Sequence, residues 1–378
     1  MSFGILALVG TAALLGPLLA LPHRWRLPVV VGELAAGIVL GPMLTDLLTP
    51  SDPTVTFLAD VGFALVMFVA GSHVPVGDAR LRGALPVGLL RAALVGAASV
   101  PVAVVMARVA GTGHAALYTV LLASSSAALV LPIGESLHLR GPSFLALLPQ
   151  VAVADAVGIA ALPLVIDPAQ AATSAVGAIV VVAGAGLLFV VLRAVERRGW
   201  RKAMHDVSQR RGFALELRVN LALLFTLAAV AQASRVSVML AGFSFGLVVA
   251  AVGEPRRLVH QLFAVTEGFF GPVFFVWLGA SLDLRALAER PALVGLGLAL
   301  GLGAVLTHLV PRLTGQPVAV GALAAAQLGV PVAAAALGTS TGLLDAGEPA
   351  ALMLGALLTI AVASVAAERV RRAEHAAA

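Results

Sequence analysis

Long apolar runs follow one another from end to end of the chain, parted by short polar stretches rich in Arg, Gly and Pro. A run of about 20 apolar residues is what an α-helix needs to cross a hydrocarbon core of ~30 Å. The alternation of apolar and polar residues that marks a membrane barrel strand is absent. Backbone N–H and C=O groups in lipid must bond within the protein, so each run reads as a helix. Thirteen spans result, at roughly residues 3–21, 27–44, 55–75, 84–108, 115–137, 143–166, 174–193, 213–233, 236–252, 259–281, 292–310, 317–338 and 349–367, with ends placed to a few residues. The pattern predicts an all-α polytopic membrane protein of about 13 helices, one membrane domain over 1–378. Its longest polar stretch, about 193–212, is a loop.

Two spans are interrupted. The fifth contains Ser124-Ser125-Ser126 and then Leu131-Pro132-Ile133-Gly134; the twelfth contains Gln327-Leu328-Gly329-Val330-Pro331. Proline removes a donor and clashes with the preceding turn, so both helices are expected to kink or open near Pro132, Gly329 and Pro331. The alternative is a plain proline kink whose serines bond back to their own helix. The two breaks lie seven spans apart, and an odd offset reverses orientation across the membrane. A pair of oppositely oriented broken helices points to inverted-topology repeats with an ion site between them. Spans two to six (about 27–166) would then correspond to spans nine to thirteen (about 236–367).

Charge placement sets the topology. Of the 24 basic residues only one, Lys202, is Lys. With thirteen helices, twenty of the 24 fall on the loops of one side or on the C-terminal segment, while Arg108, Arg235, Arg285 and Arg290 fall on the other. Basic loops stay in the cytoplasm. The N-terminus is therefore expected outside and the C-terminus in the cytoplasm, in the cell membrane. The basic block at 193–212 reads as this positive-inside signal, so the high pI implies no nucleic-acid partner. Hydrophobic residues make up 60% of the chain and charged ones 11%, against about a quarter charged in a soluble domain. With no Cys, disulfides, thiolate metal sites and thiol redox chemistry are excluded. The N-terminus lacks a signal peptide's basic start and cleavage site, so the first run is expected to remain as a helix. No metal-ligand cluster, nucleophilic triad or phosphate-binding loop stands out. The chain does not read as an enzyme, and no cofactor is implied.

One carboxylate breaks this picture. Asp155 falls near the midpoint of the sixth span, about 143–166, in an almost wholly apolar setting. A charge at that depth costs at least ~2.5–3.5 kcal/mol and marks function by default. A carboxylate that holds a proton or a metal ion, but not both at once, exchanges the two by competition. Hard cations take oxygen ligands, and Ser124, Ser125 and Ser126 with carbonyls of the broken helices would complete the shell. Gln150, five residues before Asp155, either helps to hold that site or bonds at a helix end. Glu33 and Glu267 either line an inner funnel that attracts cations or snorkel and pair with Arg. His308 is a candidate pH-sensitive group, since histidine titrates near neutrality. Glycines including Gly37, Gly41, Gly158, Gly279 and those from Gly295 to Gly303 suit close helix packing.

Four stretches, in order, resemble one family. They are Leu27–Pro42 (LPVVVGELAAGIVLGP), Asp60–Gly71 (DVGFALVMFVAG), Ser124–Pro132 (SSSAALVLP) and Phe269–Leu284 (FFGPVFFVWLGASLDL). Together they are similar to the second, third, unwound and tenth helices of monovalent cation:proton antiporters of the sodium/proton exchanger superfamily. The closest flavour is the Kef-like branch, without its C-terminal nucleotide-binding domain. The resemblance implies that Asp155, one span after the serine-rich crossing helix, binds a transported Na⁺ or K⁺ and a proton in alternation. It also implies a core that moves against a scaffold and a homodimer in membrane lipid; a separate soluble regulatory subunit is a further candidate partner, and one that would favour the sensor or scaffold reading below. Three residues depart from the family pattern. Ala154 stands where Asn, Asp or Gln usually precedes the aspartate, which implies electroneutral one-for-one exchange. The span before the second crossing helix has no Lys, only His308 and Arg312 near its end. Gln327-Leu328-Gly329-Val330 lacks the family's acid. These departures motivate the other reading, a non-transporting membrane sensor or scaffold with the antiporter fold.

Overall fold

The structure, a computed structural model, describes residues 2–21, 29–73, 79–167, 171–198, 213–234, 236–253 and 256–377. Residues 199–212 of the expected loop lie outside the described residues, as do Arg24 and Arg26. Every regular element among the described residues is helical. Ten helical segments there are long and apolar enough to cross a membrane, from Phe3–Ala20 to Glu348–Ala376. Three shorter apolar ones, Val29–Leu40, Ala115–Leu131 and Val238–Val252, fill the remaining expected positions. The thirteen expected spans are therefore all occupied by helix.

The chain folds into two compact units, each drawing on both halves of the sequence. The first is Met1–Gly77 with Ala172–Leu282, the second Asp78–Ala171 with Asp283–Ala378.

The first unit is built on close helix pairs. Helix Val29–Leu40 runs against Gly271–Ser281, and helix Pro53–Ser72 against Val238–Val252. At Gly37 a side-chain carbon would strike the Val276 carbonyl, and at Gly279 it would strike that of Leu34. The two backbones approach closely because neither residue has a Cβ, which is how helices gain packing in lipid. Phe63 and Phe274 stack at 4.8 Å across the same unit, and Trp277 Nε1 donates to the Pro50 carbonyl at 2.9 Å. Helix 53–72 is started by Asp52. Its Oδ1 accepts from the Thr54 and Val55 amides at 2.8 and 3.1 Å. The Val55 amide foremost holds this carboxyl below its ordinary range. The cap is therefore complete at neutral pH and weakens as pH falls through that lowered value.

The second unit carries the interrupted helices. Helix Ala79–Ala110 lies against Ala115–Ala123 and against Pro142–Ile166, the aspartate helix. Helix Pro291–His308 packs along Glu348–Ala377. A Cβ at Gly297 would sit 2.6 Å from the Ala351 carbonyl oxygen, and one at Gly301 2.8 Å from that of Gly355. Gly295, expected to do the same, has no neighbour within 4 Å.

This contrast generates a test. Gly301→Leu should destabilise the protein by about 1–3 kcal/mol through overpacking, read as a clear drop in thermal midpoint in detergent. Gly295→Leu, on the same helix, should leave the midpoint unchanged or slightly raised. Equal midpoints for the two variants would show that the close approach is not what holds these helices.

Candidate functional site

Both interrupted helices open before their prolines, the first at three serines and the second around Gln327. The first runs over Ala115–Ala123, leaves helical geometry at Ser124–Ser126 and resumes over Ala127–Ser136. The second runs over Val318–Ala324, opens at residues 325–328 and resumes over Gly329–Thr341, with Leu328 at φ −145°, ψ −59°. Pro132, expected at the first break, instead lies inside helix 127–136. Gly329 and Pro331 belong to the first turn of helix 329–341. Proline costs nothing there, because the first four N–H groups of a helix have no intrahelical partner. Inside helix 127–136, Pro132 forfeits only one backbone bond. What opens the first helix is the supply of other partners one turn earlier.

Those partners come largely from the other broken helix. Ser125 Oγ donates to the Ala324 carbonyl, the last of helix 318–324, at 2.6 Å. Gln327 Nε2 donates to the carbonyls of Leu121 and Ser124 at 2.7 and 3.0 Å. Each opened segment thus bonds a C-terminal carbonyl of the other helix. Ser124 Oγ turns back onto the Leu121 carbonyl at 2.9 Å, as the plain-kink alternative proposed for the serines. The Ser126 carbonyl starts the resumed helix by accepting from Val130 N at 3.0 Å. Gln327 N donates to Thr359 Oγ1 at 3.2 Å. Thr307 Oγ1 donates to the Leu122 carbonyl at 3.1 Å. Three serines, Gln327, Thr307 and Thr359 are all buried.

Asp155 completes the arrangement. It is 2% exposed, and its Oδ2 accepts from the Ala127 amide at 2.9 Å. The aspartate therefore caps the helix that restarts after the serines, at the positive end of its dipole. Gly158, one turn on, brings the aspartate helix against both breaks: a Cβ there would meet Val330 Cγ2 at 3.0 Å and Ser124 Cβ at 3.2 Å. Near this carboxylate the first break carries the hydroxyls of Ser124 and Ser125, which bond the carbonyls of Leu121 and Ala324; oxygen groups of this kind are what a hard cation takes as ligands. A cavity of about 380 Å³ lies beside them. Ser124 and Thr119 are its polar lining, while Ala154, Gly158 and Ala123 keep it otherwise apolar. Ala154 thus presents a methyl group to this cavity. Among the described residues no three His, Cys, Asp or Glu side chains cluster as a resident metal site.

The remaining expected residues divide between the units. Gln150 is buried in the second unit and accepts from Gln316 Nε2 at 2.9 Å through Oε1, so it does not bond Asp155. Its Nε2, like Gln316 Oε1, is buried without a partner. His308, 1% exposed, bonds the Ala304 carbonyl through Nδ1 at 2.8 Å, the geometry of a core histidine. Glu33 is buried in the first unit. Glu267 is exposed, on the π-helical turn Thr266–Phe270. Thr307, Gln316 and Thr359 were missed in the sequence. Each is one polar residue in or beside an apolar run, a signal too common in membrane helices to single them out.

Residues 10–370 match the profile of the family described as sodium/hydrogen exchanger, transmembrane. The candidate Na⁺/H⁺ antiporter YjbQ of Bacillus subtilis (strain 168) is 23% identical over 94% of this chain. The chain spans 61% of that relative's length. The Na⁺/H⁺ antiporter NhaS4 of Synechocystis sp. is 34% identical, over 23% of this chain and 22% of its own. Among solved structures, the sodium proton antiporter MjNhaP1 of Methanocaldococcus jannaschii, at pH 8, superposes with a TM-score of 0.62 at 14% identity. That alignment covers 94% of each chain, and it is a likeness of fold.

The reciprocal bonds between the breaks generate a second test. Gln327→Ala strands the buried Ser124 carbonyl, at about 1–3 kcal/mol for a group left unpaired, while the Leu121 carbonyl keeps Ser124 Oγ. Its thermal midpoint should fall well below that of Ser340→Ala, which removes an exposed hydroxyl bonded within its own helix. Matching midpoints would show that the crossing does not depend on this side chain.

Proposed function

We propose that this chain, which belongs to the sodium/hydrogen exchanger family of membrane proteins, exchanges a monovalent cation for a proton by competition at Asp155. The observation that carries the reading is the position of that carboxylate. It is buried at an opened helix and capped by one backbone amide, one residue after the serine-rich break. Low dielectric disfavours a bare carboxylate, and either a proton or a cation relieves it. One site cannot hold both, so loading one releases the other. Na⁺ is the cation favoured by the names of the relatives, with K⁺ the alternative to be tested.

With Ala154 beside it, Asp155 is the single carboxylate at this crossing among the described residues. One proton for one monovalent cation then moves no net charge, and exchange is electroneutral. The serines and the carbonyls at the breaks serve as neutral ligands, while Gln327 holds the carbonyl ends in place. Charge asymmetry supports an N-terminus outside and a C-terminus in the cytoplasm of the cell membrane. The inverted relation between residues 27–166 and 236–367 belongs to the same reading and rests on the opposite orientation expected of the two breaks. So does a homodimer, which rests on the family resemblance, whereas a separate soluble regulatory subunit would favour the rival reading below. A mass measurement finding only monomers in mild detergent would count against the dimer. The rival, a non-transporting sensor or scaffold, is favoured by the thin polar lining at Ala154 and decided by the flux assay.

The direct test is proton flux in liposomes containing purified protein and a pH-sensitive dye, with Na⁺, K⁺, Li⁺ and Rb⁺ added in turn. Exchange should appear for at least one cation, persist when the membrane potential is clamped, and vanish in Asp155→Asn. A silent wild type over about pH 6–9 would favour the scaffold, and full activity in Asp155→Asn would remove the mechanism. Competition also fixes the pH dependence. As pH falls, the apparent KM for the cation should rise, approaching about tenfold per pH unit once the proton dominates the site. A KM independent of pH would contradict a shared site.

A further inference from the structure

A second charged group in the second unit has no partner of opposite sign. Arg91, on helix 79–110, is 8% exposed. Its Nε donates to Thr314 Oγ1 at 3.1 Å, and Thr314 in turn bonds the Pro311 carbonyl at 2.7 Å. Among the described residues no carboxylate pairs with this guanidinium. Its two Nη groups are left to donate. A buried charge without a counter-charge is costly, and a guanidinium is shaped to take two oxygens of a phosphate side by side.

The position along the membrane normal comes from two helices independently. Thr314 is the last residue of the apolar span Pro291–Thr314. Arg91 lies eight residues into Gly83–Ala110, whose 28 residues exceed what ~30 Å of hydrocarbon needs. Both place the guanidinium at the level where hydrocarbon gives way to headgroups. Exposed aliphatic side chains flank it: Val87, one turn earlier on the helix, and Leu313, beside Thr314 and 85% exposed. Arg312, exposed two residues before Thr314, adds a second positive charge. A cationic fork at headgroup depth beside bare aliphatic side chains matches a phosphate carrying acyl chains better than a free anion.

We propose that Arg91, held by Thr314 and aided by Arg312, binds the phosphodiester of an anionic phospholipid in the leaflet on the Arg-rich side. The proposal stands apart from the transport reading, because its test reads lipid binding alone. Purified full-length protein in detergent is titrated with dioctanoyl phosphatidylglycerol or dioctanoyl phosphatidylcholine, and adducts are counted by native mass spectrometry. Phosphatidylglycerol should bind more tightly than phosphatidylcholine. Arg91→Gln should weaken phosphatidylglycerol binding roughly tenfold, the loss expected for one charge-assisted pair. Arg91→Lys keeps the charge without the fork and should fall between the two. Arg108→Gln, which removes the same charge from the last turn of the same helix, is the control and should bind like wild type. Equal phosphatidylglycerol affinity in wild type, Arg91→Lys and Arg91→Gln would overturn the site. Displacement of the lipid by an equal concentration of inorganic phosphate would overturn the lipid assignment in favour of a free anion.

Discussion

Two lengths of backbone that have left the helix must still find hydrogen-bond partners where there is no water to supply them. The rest of the second unit follows from how that is done. Ser125 serves the end of the second broken helix, and Gln327 serves the end of the first. Neither break is satisfied by its own residues alone, so the two helices can open only together and only in contact. The helices around them are fixed by the same requirement. Helix 348–377 supplies Thr359 to the Gln327 amide, and helix 291–308 supplies Thr307 to Leu122. An unpaired buried polar group costs about 1–3 kcal/mol, so a crossing with several such bonds is strongly specified.

Asp155 uses what the crossing leaves over. An opened helix presents carbonyls at one end and amides at the other. The carbonyls of the first break are taken up by Gln327, while the Ala127 amide is taken by Asp155. The carboxylate is thereby held against the positive end of helix 127–136, which favours its charge in a setting that otherwise disfavours it. That balance is what a competitive site requires. If the surroundings stabilised the charge fully, a proton would not return; if they gave it nothing, a cation would not displace the proton. Gly158, the Cβ-less position one turn away, lets the aspartate helix approach both breaks closely enough for the balance to be struck.

Much of this was legible in the sequence. Hydrophobic run length located the thirteen spans, because the bilayer fixes how long each must be. Asp155 was legible because a lone acid at mid-membrane has few innocent explanations, and the serines because three polar residues together interrupt an apolar helix. The position of the first break was misplaced toward Pro132. Proline is a local signal, whereas the opening is decided by partners over 190 residues away, such as Ala324 and Gln327. Gln150 went astray for the same reason: its partner, Gln316, lies on a different element. The division into two units was not legible either. Each draws on chain from both halves, and only tertiary packing shows which helices keep company.

The central claim is that one carboxylate holds either the proton or the cation, and it is tested most directly by counting protons released on binding. Purified protein in weakly buffered detergent solution, with a pH indicator, would be titrated with Na⁺ and K⁺ near neutral pH while bound cation is measured in parallel. The account predicts about one proton released for each cation bound, and neither binding nor release in Asp155→Asn. Cation binding without proton release, or release that survives in Asp155→Asn, would contradict it.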